Sequence, residues 1–271
     1  MITENNASSI LRERFGIDVS VKIESFSGNR TITVWPTDLE RTVGFEVVAE
    51  LKWRSIEIKF VPGSFAKDLV THMEASDEAR RIAFKVFAES LLEKGAKLKL
   101  QINNQPYKPD NPSSWPENWN RIEISMRKGS IVFRENIEKD FDKAFPWLES
   151  FFGLCISLLP LEPIDDEKRN YENIMEDEGA SYTVTTTRYE RSSINRAACI
   201  EVYGTTCKVC SMNFGNCYGR IGEGYIHVHH KIPLSEIDDS YTVNPREDLI
   251  PVCPNCHAML HKKNLLTLLK N

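Results

Sequence analysis

The sequence predicts an α+β fold in two domains, and two features of the residue pattern indicate this. Before residue 163, short runs of alternating β-branched and aromatic residues are interleaved with longer apolar stripes of helical spacing. After residue 206, two Cys-x-x-Cys pairs and most of the six histidines crowd into a much shorter segment. The length of 271 residues also exceeds one average domain. We therefore expect an N-terminal α+β domain followed by a C-terminal domain built around metal ligands.

The elements of the N-terminal domain follow from these periodicities. Asp77 is a residue type that caps helix N-termini, and Gly95 is a residue type that ends helices. The two residues bracket an apolar stripe. Helices are predicted over 8–15, 77–94 and 137–159, and strands over 19–23, 31–34, 44–51, 56–61, 97–102 and 121–126. The segment 103–120, dense in Pro, Asn, Trp and Tyr, is predicted to be a long irregular loop, and such loops are often functional.

The domain boundary is predicted where prolines and acidic residues accumulate after residue 160. We assign 1–163 to an N-terminal target-recognition or regulatory domain, 164–187 to a linker and 188–271 to the C-terminal domain. A linker of this composition favours independent folding of the two halves. A fragment from about Thr187 is then expected to keep its metal sites.

Charge and hydropathy restrict the partners. The net charge of −5 argues against a surface that is basic throughout, so any contact with nucleic acid must come from local patches. The N-terminus lacks the basic start and apolar run of a signal peptide. The most apolar stretch, 145–161, is too short and too interrupted by Pro146, Glu149 and Pro160 to span a bilayer. We expect a cytoplasmic protein without a membrane partner.

Cysteine spacing predicts a structural zinc site. Two Cys-x-x-Cys pairs supply four thiolates, which suit tetrahedral zinc. The ligands are Cys207, Cys210, Cys253 and Cys256. The alternatives are coincidental core cysteines and a redox pair, and the latter lacks a surrounding thioredoxin-like βαβ pattern. The other cysteines, Cys155, Cys199 and Cys217, are expected to be small buried apolar side chains.

Histidine spacing predicts a second metal site. Strand-like alternation over 225–229 would put His227 and His229 on one face, while His257 and His261 are spaced i, i+4 at the start of a helix. One strand imidazole and two helix imidazoles can hold a divalent cation and leave positions for water and phosphate. The remaining histidine is free to act as a base. The alternative is that all of these histidines are structural.

Two runs of sequence carry a specific resemblance. Residues 226–234, IHVHHKIPL, and residues 248–261, DLIPVCPNCHAMLH, resemble the ββα-metal HNH endonucleases. The similarity is greatest to the branch with a four-cysteine zinc site, which includes McrA-type restriction nucleases that attack modified-cytosine DNA. It covers residues 188–264. The resemblance implies a C-terminal zinc-stapled ββα-metal HNH nuclease domain.

The resemblance also implies residue roles and cofactors. His229 would be a metal ligand, and His257 and His261 would complete the ligand set. His230 would be the general base. Asp248 stands where the family usually has the Asn that buttresses the base. The implied cofactors are structural zinc and a catalytic divalent metal such as Mg, Mn or Ni. The implied products are a 5′-phosphate and a 3′-hydroxyl.

DNA is the expected partner, and a homodimer is left open. Basic residues around the metal sites are expected to contact phosphates, although each alone is a common kind of solvated surface charge. These residues are Arg188, Arg191, Arg196, Lys231, Lys262 and Lys263. In the loop 103–120, Trp115 and Trp119, with Tyr107, are candidates for stacking on bases. The alternative for these aromatics is packing on the core of their own domain.

The expected function is that of a metal-dependent DNA endonuclease of a restriction or antiviral defence system, with modified cytosine as its target. The alternative gives the N-terminal domain a sensor or protein-interaction role, because acidic residues slightly outnumber basic ones in 1–165. A degenerate HNH fold that only binds DNA is a third hypothesis. The intact histidine set speaks against it.

Overall fold

The structure is a computed structural model that describes residues 2–26, 29–134, 136–160, 193–231 and 241–261. The helices are α1 (Glu4–Phe15), α2 (Lys67–Glu74), α3 (Glu78–Glu93), α4 (Ile137–Ile156), α5 (Ser193–Tyr203), α6 (Phe214–Tyr218) and α7 (Pro254–Leu260). The strands are β1 (Val19–Phe26), β2 (Asn29–Pro36), β3 (Phe45–Lys52), β4 (Ser55–Pro62), β5 (Lys97–Ile102), β6 (Gln105–Tyr107), β7 (Ile122–Gly129), β8 (His227–His230) and β9 (Leu249–Val252). The predicted α+β class is confirmed.

A seven-stranded antiparallel sheet forms the N-terminal part, in the order β1-β2-β3-β4-β7-β5-β6. Strand side chains alternate between its faces, and on β3 the residues Phe45, Val47 and Ala49 are buried while their neighbours are not. The buried face shares one apolar core with α1, α3 and α4. The opposite face is polar, as expected when one face of an antiparallel sheet meets solvent.

The central helix α3 begins and ends where its sequence predicts. The Asp77 carboxylate accepts a hydrogen bond from the Arg80 backbone N–H at 2.9 Å and caps the first turn. Gly95 follows the helix with a φ of 81°, a left-handed conformation that favours glycine. Between them, the fully buried Phe84 and Phe87 anchor the helix in the core. The prediction of a helix over 77–94 is confirmed.

The loop after β5 is partly ordered and its tryptophans are structural. It contains β6 and a single 3-10 turn over Pro112–Ser114. Trp115 and Trp119 are only 7% and 4% exposed. The Trp115 ring meets Phe84 edge to face with centroids 5.0 Å apart, and its indole N–H donates to the Lys108 carbonyl. The expectation that Trp115 and Trp119 stack on DNA bases is therefore wrong, because their surfaces are already buried in the core.

Helix α5 joins the N-terminal sheet domain to the C-terminal metal-binding part. Ile194, Ala197 and Ala198 belong to the core of the N-terminal domain. On its other side, Cys199 packs with Val228 of β8 and Leu249 of β9. A fragment that begins near residue 187 would expose the first of these faces. The shared helix argues against the expectation that the two halves fold independently.

A buried carboxylate fixes α5 in this position. Glu201 accepts hydrogen bonds from the Ser90 and Ser150 hydroxyls at 2.9 and 2.8 Å, and it pairs with Arg14 at 2.6 Å and with Lys94. Burial opposes ionisation of Glu201, but Arg14 and Lys94 outweigh it and lower the pKa of the carboxyl. The charge is therefore retained, and it links α5 to α1, α3 and α4.

Within the described ranges, no helix is long and apolar enough to cross a bilayer.

Candidate metal centres

The four cysteines of the two Cys-x-x-Cys pairs come together at one place. The first pair lies in a turn that closes with a hydrogen bond from the Ser211 N–H to the Cys207 carbonyl at 2.9 Å. The second pair begins α7, where the Cys253 sulfur caps the helix and accepts from the Cys256 N–H at 3.4 Å. The four sulfur atoms lie within 4.8 Å of one another.

The sulfur geometry fits zinc. Cys210 Sγ and Cys253 Sγ are 3.7 Å apart. A tetrahedral site with Zn–S bonds of about 2.3 Å has sulfurs about 3.8 Å apart. Burial opposes ionisation of the Cys207 thiol, but backbone N–H groups, including that of Cys253, stabilise its thiolate and lower its pKa to about 7. Four sulfurs at this spacing are the donors of a closed structural site.

The other three cysteines lie outside this cluster. Cys155 and Cys199 are buried, as the sequence predicted. Burial raises the pKa of the Cys155 thiol well above its usual range and that of Cys199 to about 12, so both stay protonated. Cys217 is exposed, which corrects the expectation that it is a buried apolar side chain. It lies in α6, a short helix in which none of the residues is buried.

His229, His257 and His261 form a second group of possible metal ligands. His229 comes from β8 and is buried, whereas His257 and His261 are one turn apart at α7 and progressively more exposed. The Nε2 atoms of His257 and His261 are 3.4 Å apart. Two imidazoles of a tetrahedral site with metal–nitrogen bonds of about 2.1 Å are separated by about 3.4 Å. The imidazole donors therefore fit one divalent cation on the protein surface.

The short β8–β9 ribbon positions the remaining histidines. His229 lies opposite Ile250, and His230 lies opposite Leu249. The His227 ring is 5.1 Å from that of His257, so His227 lies on the same side of β8 as His229, as predicted. His230 follows His229 directly in the strand, and alternation directs it away from that side.

Asp248 immediately precedes β9 and organises the turn before it. Its Oδ2 accepts hydrogen bonds from the Tyr241 hydroxyl at 2.8 Å and from the Asn244 N–H at 2.7 Å. Its carbonyl accepts from the Lys231 N–H at 2.8 Å, next to His230. The bond to Asp248 raises the pKa of Tyr241. Asp248 thus organises the segment 241–248 through its carboxylate and ties it to the end of β8 through its backbone carbonyl.

Comparison with known proteins identifies this arrangement. Residues 207–263 match the family model described as HNH endonuclease. These residues form an HNH endonuclease domain. No curated protein and no solved structure gives a significant match to the chain. The HNH domain makes the protein a metal-dependent nuclease, and it implies a DNA substrate.

Two residues that support the HNH domain were missed in the sequence. Arg246 lies in the turn that Asp248 organises, and its Nη1 donates to Glu93 of α3 at 3.0 Å. The Tyr203 hydroxyl of α5 donates to the Arg246 carbonyl. Neither Arg246 nor Tyr203 belongs to a motif, because their roles depend on the docking of distant elements. Glu201 offered a signal, since it is the only charged side chain in the apolar stretch 197–203.

The basic candidates for phosphate contact differ in their placement. The Arg196 guanidinium is half-buried and donates to the Ile226 carbonyl at 3.0 Å, and burial lowers its pKa. It holds the backbone next to β8, and a phosphate contact by its other donors stays a prediction. Lys231 Nζ donates to the Glu247 carbonyl at 2.7 Å, beside the HNH histidines. The other candidates lie outside the described residues: Arg188, Arg191, Lys262 and Lys263.

Proposed function

We propose that this protein is a DNA endonuclease that hydrolyses phosphodiester bonds with His230 as the general base. The observation that carries the proposal is the cluster of His229, His257 and His261, whose strand member immediately precedes His230 in β8, within a segment that matches the HNH family. An imidazole titrates near neutral pH, so it can take a proton from water under physiological conditions. General-base catalysis of this kind contributes typically ~10²–10⁴-fold to a rate.

His229, His257 and His261 would hold the catalytic divalent metal, for example Mg, Mn or Ni. When bound there, such a cation stabilises negative charge on the phosphate and on the departing 3′ oxygen. His230 takes the proton of the water that attacks phosphorus, the P–O3′ bond breaks, and the 3′ oxygen leaves with the bonding electrons and takes a proton from solvent water. The products are a 5′-phosphate and a 3′-hydroxyl.

Asp248 is proposed as the residue that positions the base. It holds the turn next to β9, and its carbonyl receives the N–H of Lys231, the residue after His230. A carboxylate can also accept a hydrogen bond from an imidazole N–H and favour its protonated form. Either route keeps His230 in the orientation that proton transfer requires.

The four cysteines are proposed to bind structural zinc. The cluster joins the turn before α6 to the start of α7, and the Lys208 N–H donates to the Pro251 carbonyl at 3.0 Å. Only a few apolar side chains surround the cluster. A core this small needs metal to be stable. Both metal clusters are complete within one chain, so the proposal requires no second copy.

We propose the division 1–163, 164–187 and 188–271 with one qualification, that α5 contributes to both cores. The N-terminal domain would choose the target, and restriction or antiviral defence is the proposed context. Modified cytosine is the proposed target by family resemblance. The alternative is a sensor or interaction domain that regulates the nuclease. The contact between Arg246 and Glu93 favours this second hypothesis, because it couples α3 to the catalytic turn.

Mutation of the base tests the catalytic assignment. His230→Ala should abolish cleavage of plain duplex DNA and leave metal content and DNA binding nearly unchanged. His257→Ala should lose the catalytic metal as well, which metal titration of the zinc-loaded protein would measure. Wild-type cleavage by His230→Ala would refute the assignment of the base. Comparing plain, methylated and hydroxymethylated duplexes with the wild-type protein tests the proposed target.

A further inference from the structure

The central sheet of the N-terminal domain opens between two of its strands. β4 pairs with β7 only from Ser55 opposite Gly129 to Lys59 opposite Ser125. Beyond that point, β4 continues beside β3 as far as Pro62, and β7 runs back to Ile122 beside β5. The facing edges of these two strand segments therefore lack a strand partner. Between them lies a cleft of about 620 Å³, a volume typical of small-ligand sites.

Basic side chains concentrate at this cleft. Lys59 of β4 and Lys99 of β5 both lie opposite Ser125 of β7, so two lysines flank one serine at the point where the strands separate. Lys67 and Arg121 also line the cleft. Lys59 and Arg121 have carboxylate partners on the surface, at 3.4 and 2.7 Å. In the described part of the chain, Lys67 and Lys99 have no such ion-pair partner.

This concentration of charge contrasts with the rest of the domain, which is not basic. Four cationic side chains line the cleft against one carboxylate, that of Glu123. Helix α2 starts at the same place, and no side chain caps its first turn at Ala66. The positive end of α2 therefore adds to the potential of the lysines. The ligand indicated by these features carries a phosphate group.

The cleft also has an apolar side. Val61 lines the cleft and is 40% exposed, whereas the other apolar lining residues Phe60, Ile122 and Ile124 are buried. Phe65, between the lining residues Ser64 and Ala66, is 74% exposed. An exposed aromatic ring beside a basic groove is the combination that binds nucleotides, since bases stack on the ring and phosphates meet the cations.

We propose that this cleft is a nucleotide-binding site of the N-terminal domain. The phosphate would lie between Lys99 and Lys67, and the base would contact Val61 and Phe65. The nucleotide is either part of a DNA strand or free, and both sources share this chemistry. The inference rests on the proposed function only in giving the N-terminal domain a recognition role. It requires none of the catalytic histidines.

Binding to the full-length His230→Ala protein tests the proposal without cleavage of the probe. Fluorescence anisotropy would follow a labelled single-stranded oligodeoxynucleotide and a labelled duplex, and calorimetry would follow deoxynucleoside 5′-monophosphates. In this background, Lys67→Gln with Lys99→Gln should weaken binding of one of these probes by about tenfold or more, and reduce its salt dependence. Phe65→Ala should weaken it by about tenfold, the size expected for one stacked base.

The matched control is Lys22→Gln with Lys52→Gln, which removes the same charge from exposed positions of the same sheet outside the cleft. It should change affinity less than about twofold, since exposed lysines far from a ligand contribute little. An effect on DNA alone identifies a DNA-reading site, and an effect on monophosphates alone identifies a sensor of free nucleotides. Equal effects of the two double variants, or no binding of any probe, would overturn the proposal.

The outcome is separate from that of the proposed nuclease function. Comparing cleavage of plain duplex DNA by the wild-type and His230→Ala proteins tests the His230 assignment. Comparing probe binding by the lysine variants in the His230→Ala background tests the cleft. Either result can fail while the other stands. Unchanged melting temperatures of the double variants would show that lost binding is not lost folding.

Discussion

Arg246 Nη1 lies 3.0 Å from Glu93 Oε1, and this contact joins the turn before β9 to helix α3 of the N-terminal domain. Arg246 Nε also lies 3.6 Å from Glu89 Oε2, one turn earlier in α3. The same turn carries Asp248, whose carboxylate receives the Asn244 N–H. The N-terminal domain therefore supports the segment that leads into the β8–β9 strand pair.

Removal of this contact should slow catalysis more than it weakens substrate binding. We expect Arg246→Ala to lower kcat by about two- to tenfold, the range of coupling that single contacts carry between distant sites. KM should change little, because Arg246→Ala removes a contact with α3 and no contact with the substrate. Steady-state kinetics would separate the two parameters. Arg80→Ala is the control, since Arg80 makes only a surface ion pair at the start of α3. Equal kinetics of both variants would contradict the coupling.

The cysteine cluster should be required for the stability of the HNH domain. Cys253→Ser removes a thiolate ligand while a serine oxygen can still cap α7, so we expect loss of about one zinc per chain and a poorly soluble protein. Zinc content by atomic absorption and the melting temperature would measure this. Cys217→Ser, at an exposed cysteine outside the cluster, should leave both unchanged. A soluble, fully active and zinc-free Cys253→Ser protein would refute the site.

Asp248 allows a graded test of positioning. Asp248→Asn restores the usual family residue and should keep substantial activity, whereas Asp248→Ala should lose more because the turn and the base are left unoriented. Tyr241→Phe removes one hydrogen bond to the same carboxylate and should have a smaller effect. The pH dependence of kcat/KM would show whether Asp248 acts on the pKa of the base. Equal activity and equal pH profiles in all forms would exclude a positioning role.

Trp115→Ala should act on stability and not on the choice of substrate. The ring is buried against Phe84 and Trp119, so its removal leaves a cavity and should cost about 3–5 kcal/mol of the free energy of unfolding. Chemical denaturation would measure the loss. Tyr107→Phe, at a half-buried ring of the same loop, is a milder comparison. A changed preference between plain and modified duplexes at unchanged stability would instead restore a DNA-reading role for this loop.

Glu201 should make stability depend on pH in the acidic range. The pKa of Glu201 is lowered in the folded protein. Its contribution to stability is therefore complete above the pKa of the unfolded chain, about 4.3, and is lost as the pH falls through the pKa of the folded protein. Glu201→Gln leaves Arg14 buried without this partner and should destabilise the protein by about 3 kcal/mol at pH 7. Denaturation at several pH values would measure both. A wild-type acid profile in Glu201→Gln would contradict the assignment.

The sequence by itself determined the pairs of metal ligands. A Cys-x-x-Cys turn and an i, i+4 histidine pair are local patterns, so backbone geometry brings the donors within each pair together. The pairing of β8 with β9 then brings the distant pairs into the two clusters. Strand alternation likewise determined that His227 and His229 share a side. The helix capped by Asp77 and the predicted strands of the sheet were also local enough to predict.

Only the tertiary structure decided which candidates outside these motifs reach solvent. Trp115 and Arg196 are residue types that often contact DNA. In the folded protein the Trp115 ring packs against Phe84, and the Arg196 guanidinium donates to the Ile226 carbonyl. Both partners are distant in sequence. The opening between β4 and β7 depends on strand pairing across the sheet, and the roles of Arg246 and Glu201 depend on how α5 docks. Burial and ion pairing are set by these long-range contacts, and local sequence patterns do not encode them.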